Sequence, residues 1–116
     1  MIARTPNRKW QFVVERERKK PQSEQTSFEL KTLTGDELIT VQNQSDFGSR
    51  VQAYLTFGLT GWSNFKDAEG KDVEFVSTDG LCHSDNIGRI QDWDCIVEIA
   101  GALRVGYSLT KAEEKN

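Results

Sequence analysis

The chain has 116 residues, of which 36% are hydrophobic and 28% charged, so the expectation is one domain with a modest core that needs no staples. No apolar run approaches the ~20 residues of a membrane span, and Met1-Ile-Ala-Arg-Thr-Pro6 lacks the apolar stretch of a secretory leader. Two cysteines, Cys82 and Cys95, are too few for a disulfide scaffold and are read as reduced thiols.

The net charge of −3 is unevenly spread. Residues 1–20 hold seven cations, Arg4, Arg8, Lys9, Arg16, Arg18, Lys19 and Lys20, against Glu15 and Glu17, which is +5; the rest therefore carries −8. A basic arm on an acidic body is read as the solvated flanks of a strand. Contact with nucleic acid is not expected, because only Trp10 and Phe12 interrupt the charges as stacking platforms.

Trp10, Phe12 and Val14 alternate with Gln11, Val13 and Glu15, the period of a half-buried strand through residue 17. After Lys19-Lys-Pro-Gln-Ser-Glu24, a second strand is expected over Thr26–Leu33, with Phe28, Leu30 and Leu33 as its apolar positions. Two strands joined by a polar loop predict an antiparallel hairpin. Thr34-Gly-Asp-Glu37 has capping-box spacing and predicts a short helix over 37–43, although Ile39, Thr40 and Val41 are β-branched and equally suit a strand.

Ser45 or Asp46 is a candidate cap for a helix with Val51, Tyr54, Leu55 and Leu59 on one face, ended by Gly58 and Gly61. Trp62 then falls at a break between elements. Gly70 in Asp67-Ala-Glu-Gly-Lys71 suits a positive φ, so Phe65 and Val73 or Phe75 are expected to flank a tight turn. Residues 77–92 are polar and rich in turn formers, with Leu81, Ile87 and Ile90 as tethers to the core.

With Asp92 as cap, the positions Trp93, Ile96, Val97, Ala100 and Leu103 predict an amphipathic helix, with Gly101 serving close packing and Gly106 as a stop. Thr110–Glu113 repeats the capping spacing within a charged, fraying end. The resulting architecture is α+β: an N-terminal antiparallel β-hairpin packed on two to three helices, one domain over 1–110 and a tail over 111–116.

Residues able to carry chemistry are few. His83 is the sole histidine, and adjacency to Cys82 does not make a dyad, which needs converging groups and an orienting third residue. Cys82, His83, Asp85 and Cys95 lack the paired spacings of zinc sites. Counted from Asp67 as a calcium loop, the glycine comes too early and the twelfth position is Thr78, which cannot supply a bidentate carboxylate. Gly58-Leu-Thr-Gly61 lacks the lysine and spacing of a phosphate loop. The reading is therefore of a protein that is not an enzyme, with no cofactor and no metal. Trp10 and Trp93 are read as core residues. Trp62 is read either as a corner plug or as an interface anchor.

Three blocks carry a resemblance: Glu24-Gln-Thr-Ser-Phe-Glu-Leu-Lys-Thr-Leu-Thr-Gly35, Leu59-Thr-Gly-Trp-Ser-Asn-Phe-Lys-Asp-Ala-Glu-Gly-Lys-Asp-Val-Glu-Phe75, and Leu109-Thr-Lys-Ala-Glu-Glu-Lys-Asn116. In this order they are similar to a family of small phage proteins encoded near the tail and head-completion genes and described as tail assembly chaperones. The block around Gly61-Trp62 is the most specific. The chain departs from the family in having no proline within 86–92.

The resemblance implies a role in virion morphogenesis through protein–protein binding, in the host cytoplasm or the virion. The implied task is to shield a tape-measure or tube protein until it polymerises; the alternative role is a virion component such as a head–tail connector or capsid decoration protein. A third reading is a phage regulator that binds nucleic acid or inhibits the host through the basic arm. The expected contact surfaces are the hairpin edge, with Trp10 and Phe12, and the corner at Trp62 and Phe65. Homo-oligomerisation is left open, and no membrane partner is expected.

Overall fold

A computed structural model describes residues 8–106. Arg4 and the expected tail over 111–116, with its capping spacing, lie outside the described residues.

The hairpin is present. Strand β1 (Lys9–Phe12) pairs antiparallel with β2 (Ser27–Lys31), with Trp10 opposite Leu30 and Phe12 opposite Phe28. The alternation does not run on to residue 17: beyond Val14, buried at 2% exposure, Glu15–Lys19 coils into a 3-10 turn. Five consecutive charged residues offer no apolar side chain to a sheet face, and a solvated turn satisfies the backbone locally.

The Thr34 capping box forms in both directions. Glu37 N–H donates to Thr34 Oγ1 at 3.2 Å and Thr34 N–H to Glu37 Oε1 at 2.8 Å, starting helix α1 (Gly35–Gln42). Asp46 caps α2 (Phe47–Gly58) by accepting from Ser49 N–H at 2.8 Å. Gly58 is the last helical residue, and Leu59 passes directly into strand β3 (Leu59–Ser63) with no loop between. Leu59 therefore does not extend the face of α2, Gly61 lies within a strand, and Trp62 does not sit at a break. It stands on β3 opposite Phe28, so Phe12, Phe28 and Trp62 form a row across the three strands, in the order β1-β2-β3.

Asp67 holds the turn expected at Gly70, its Oδ1 accepting from the Glu69 and Lys71 N–H groups at 2.9 Å each, and Gly70 has φ +81°. Val73 N–H donates to Phe65 O at 2.8 Å. The polar segment from residue 77 is more ordered than its composition suggests. Strands β4 (Ser77–Thr78) and β5 (Leu81–Cys82) close around Asp79 and Gly80, both at positive φ, and lead into α3 (Ser84–Ile90). Asn86 is fully buried and clamps Val76 through both its amide nitrogen and oxygen.

Gln91 in the left-handed region ends α3, and Asp92 caps α4 (Trp93–Arg104), accepting from Cys95 N–H at 3.1 Å. The core joins Phe28, Leu30 and Leu59 of the sheet to Val51 and Leu55 of α2 and to Ile96, Ile99 and Leu103 of α4. A Cβ on Gly58 would collide with Leu103 Cδ2, and the Phe47 and Trp93 rings are 6.2 Å apart. The two twelve-residue helices α2 and α4 thus run in the same direction, with both beginnings together and both ends together.

Two further expectations on α4 fail. Gly101 has nothing within 4 Å of where a Cβ would sit, so it serves no close packing. Gly106 is the tight position instead, where a Cβ would come within 2.7 Å of the Trp10 ring. Trp93 is 53% exposed and is not a core residue. The buried stripe of α4 holds Ile96, Ala100 and Leu103 as expected, together with Cys95, Ile99 and Ala102, and leaves the first residue of the helix outside it.

Candidate functional site

The residues first expected to bind a partner are largely occupied inside the fold. Trp62 is the hub of an aromatic cluster: Phe65 lies 4.9 Å away, Phe75 5.0 Å and Phe28 6.3 Å, all edge to face. Its Nε1–H donates to Val73 O at 2.7 Å, which ties β3 to the segment that follows the Gly70 turn. Phe65, Trp10 and Phe12 are likewise half-buried against the core. The geometry of Trp62 is that of a plug, with its polar handle satisfied internally.

The basic residues of the N-terminal arm are also engaged. Arg16 pairs with the Asp92 carboxylate at the start of α4, Lys20 with Glu17 at 2.8 Å, and Lys9 with Glu29 at 3.6 Å. Arg18 Nε–H donates to Val13 O at 2.8 Å and its guanidinium lies over the Phe12 ring; Arg8 lies over Trp10. Lys19 is exposed on the 3-10 turn. Burial pushes the Glu17 carboxyl up, but Lys20 and the Thr26 N–H outweigh it and hold the carboxyl below its ordinary value.

Among the described residues no group of three or more His, Cys, Asp or Glu could hold a metal ion. Cys82 and Cys95 are both free and buried. Burial raises the Cys82 thiol, and it pushes Cys95 up to about 11, so both are protonated and poor nucleophiles at neutral pH. His83 is the N-cap of α3, its Nδ1 accepting from Asp85 N–H at 3.1 Å. A cleft of about 420 Å³ lies between the Glu15–Lys19 turn, the Asn64–Lys66 corner and α4. Each cation on its wall already has a carboxylate: Arg16 has Asp92, Lys20 has Glu17 and Lys66 has Asp72. No helix among the described residues is long and apolar enough to cross a membrane.

The surface feature that stands out was missed in the sequence. Phe47 is 59% exposed and Trp93 53%, and their rings meet edge to face at an interplanar angle of 74°. Each is the first residue of its helix, directly after an aspartate cap, and the shared direction of α2 and α4 brings the two together. The repeated Asp-aromatic pair, Asp46-Phe47 and Asp92-Trp93, is the signal that sequence reading could have used. A first-turn position stands beyond the packed face one turn on, where Val51 and Ile96 are buried. Leaving such rings in water forgoes roughly 1.5–3 kcal/mol of burial per ring. Rigid exposed aromatics are the residue type that anchors protein interfaces.

Comparison with protein-family models, with curated proteins and with solved structures finds no match for this chain.

Proposed function

We propose that this chain acts by binding another protein during phage morphogenesis, as a tail assembly chaperone. The observation that carries the binding role is the exposed Phe47–Trp93 pair, set edge to face at the joined beginnings of two capped helices. The phage setting rests on the three sequence blocks, of which Leu59–Phe75 is the most specific. The partner is a tape-measure or tube protein whose unassembled form exposes an apolar segment, and covering it prevents premature association. A permanent place in the virion, as a connector or decoration protein, uses the same surface and is the alternative. A nucleic-acid role draws less support, because Lys9, Arg16 and Lys20 of the arm are ion-paired.

The test is affinity purification of the tagged chain from cells infected with the phage that encodes it. Capture of a tape-measure, tube or connector protein at near-equal amount is expected. Capture of no phage structural protein contradicts the proposal.

A further inference from the structure

The segment Glu15–Lys19 crosses the beginning of α4 without contributing an apolar side chain. It meets α4 through two polar ties. Arg16 pairs with Asp92, and Glu15 N–H donates to Glu98 Oε2 at 2.7 Å. On its other side it is fastened to the chain entering β2. Thr26 N–H donates to Glu17 Oε1 at 3.1 Å, and Gln25 Nε2–H donates to Lys20 O at 2.9 Å. Val14 anchors the entry into the segment, and Pro21 follows its exit.

Two clefts, about 420 Å³ and about 380 Å³, flank this crossing and share Val14, Arg16 and Cys95. Cys95 is only 6% exposed. Contacts made of solvent-facing charges are weak and screened by salt, and segments with few apolar contacts are the first to open locally.

We propose that Glu15–Lys19 is a strap that swings off α4 as a unit while staying tied to β2, uncovering Cys95 and joining the two clefts into one groove. The Arg16–Asp92 pair is its latch. The two cysteines report on the motion separately: Cys82 is also 6% exposed but is held by β5 and Asn86 and lines neither cleft.

The experiment is alkylation by N-ethylmaleimide at one fixed pH, with the rate at each cysteine followed by mass spectrometry of the peptides. Arg16→Gln removes the charge on the latch, and because this guanidinium lowers the Cys95 thiol, its loss without opening would slow alkylation. In this variant the rate at Cys95 is instead expected to rise about two- to fivefold, the shift that an ion pair near the surface supplies, with Cys82 unchanged. In the wild type, raising NaCl from about 0.05 to about 0.5 M is expected to accelerate Cys95 and not Cys82. That salt response should vanish in Arg16→Gln. A Cys95 rate that is unchanged or slower in both experiments, or a parallel acceleration of both thiols, would overturn the proposal, the second because opening is then global. Should Arg16→Gln not fold, the wild-type salt series stands by itself.

Discussion

Gly58 and Gly101 show how differently two helical glycines can serve. Gly58 ends α2 against Leu103, with no room for a methyl group, so Gly58→Ala is expected to cost about 1–3 kcal/mol through overpacking. Gly101 faces open space, so Gly101→Ala is expected to stabilise α4 by up to about 1 kcal/mol and raise the melting temperature. Thermal denaturation of the two variants side by side checks both signs. At Trp62 the fold and the expected interface collide. Removing a ring that touches Phe28, Phe65 and Phe75 is expected to cost about 3 kcal/mol. A lost interaction in Trp62→Ala therefore reads as lost structure unless folding is measured alongside.

At the scale of elements, the helix beginnings contribute to behaviour in acid. The Ser49 N–H holds the Asp46 carboxyl below its ordinary value of 3.8, and the Cys95 N–H, with Arg16, does the same for Asp92. Both folded values are depressed, so their stabilising contribution is complete above about pH 3.8. It is lost as pH falls through the lower values held in the folded chain. Asp46→Asn keeps the cap without the titration, and its unfolding curve below pH 4 is expected to be shallower than the wild type's when followed by circular dichroism.

The same caps show what could be read from sequence. Thr34, Asp46 and Asp92 act locally through hydrogen bonds that close within three residues, and the Gly70 turn is equally local; all were legible. The strand β3 was not, because Leu59-Thr-Gly-Trp-Ser63 follows α2 with no loop between, contains a glycine, and forms only by pairing with β2, some thirty residues away. Most of the buried face of α4 was legible, since Ile96, Ala100 and Leu103 are buried as their spacing implies, and only Trp93 at the helix start departs from it. The Phe47–Trp93 pair was hidden because it depends on two helices 46 residues apart in sequence sharing one direction.

At the scale of the molecule, surface and interior divide the aromatic residues into two groups. The Phe12, Phe28, Trp62, Phe65 and Phe75 set stabilises the sheet and its corner, while Phe47 and Trp93 add little to the core and face solvent. Double substitution Phe47→Ala/Trp93→Ala is therefore expected to leave the melting temperature nearly unchanged, which makes it the clean probe of function. The most direct measurement is titration calorimetry of this variant and the wild type against the protein that the tagged chain captures. Truncating an anchoring aromatic costs at least about 2 kcal/mol, so the account predicts that Kd rises at least about 30-fold. A Kd equal to that of the wild type, in a variant that melts normally, would contradict it.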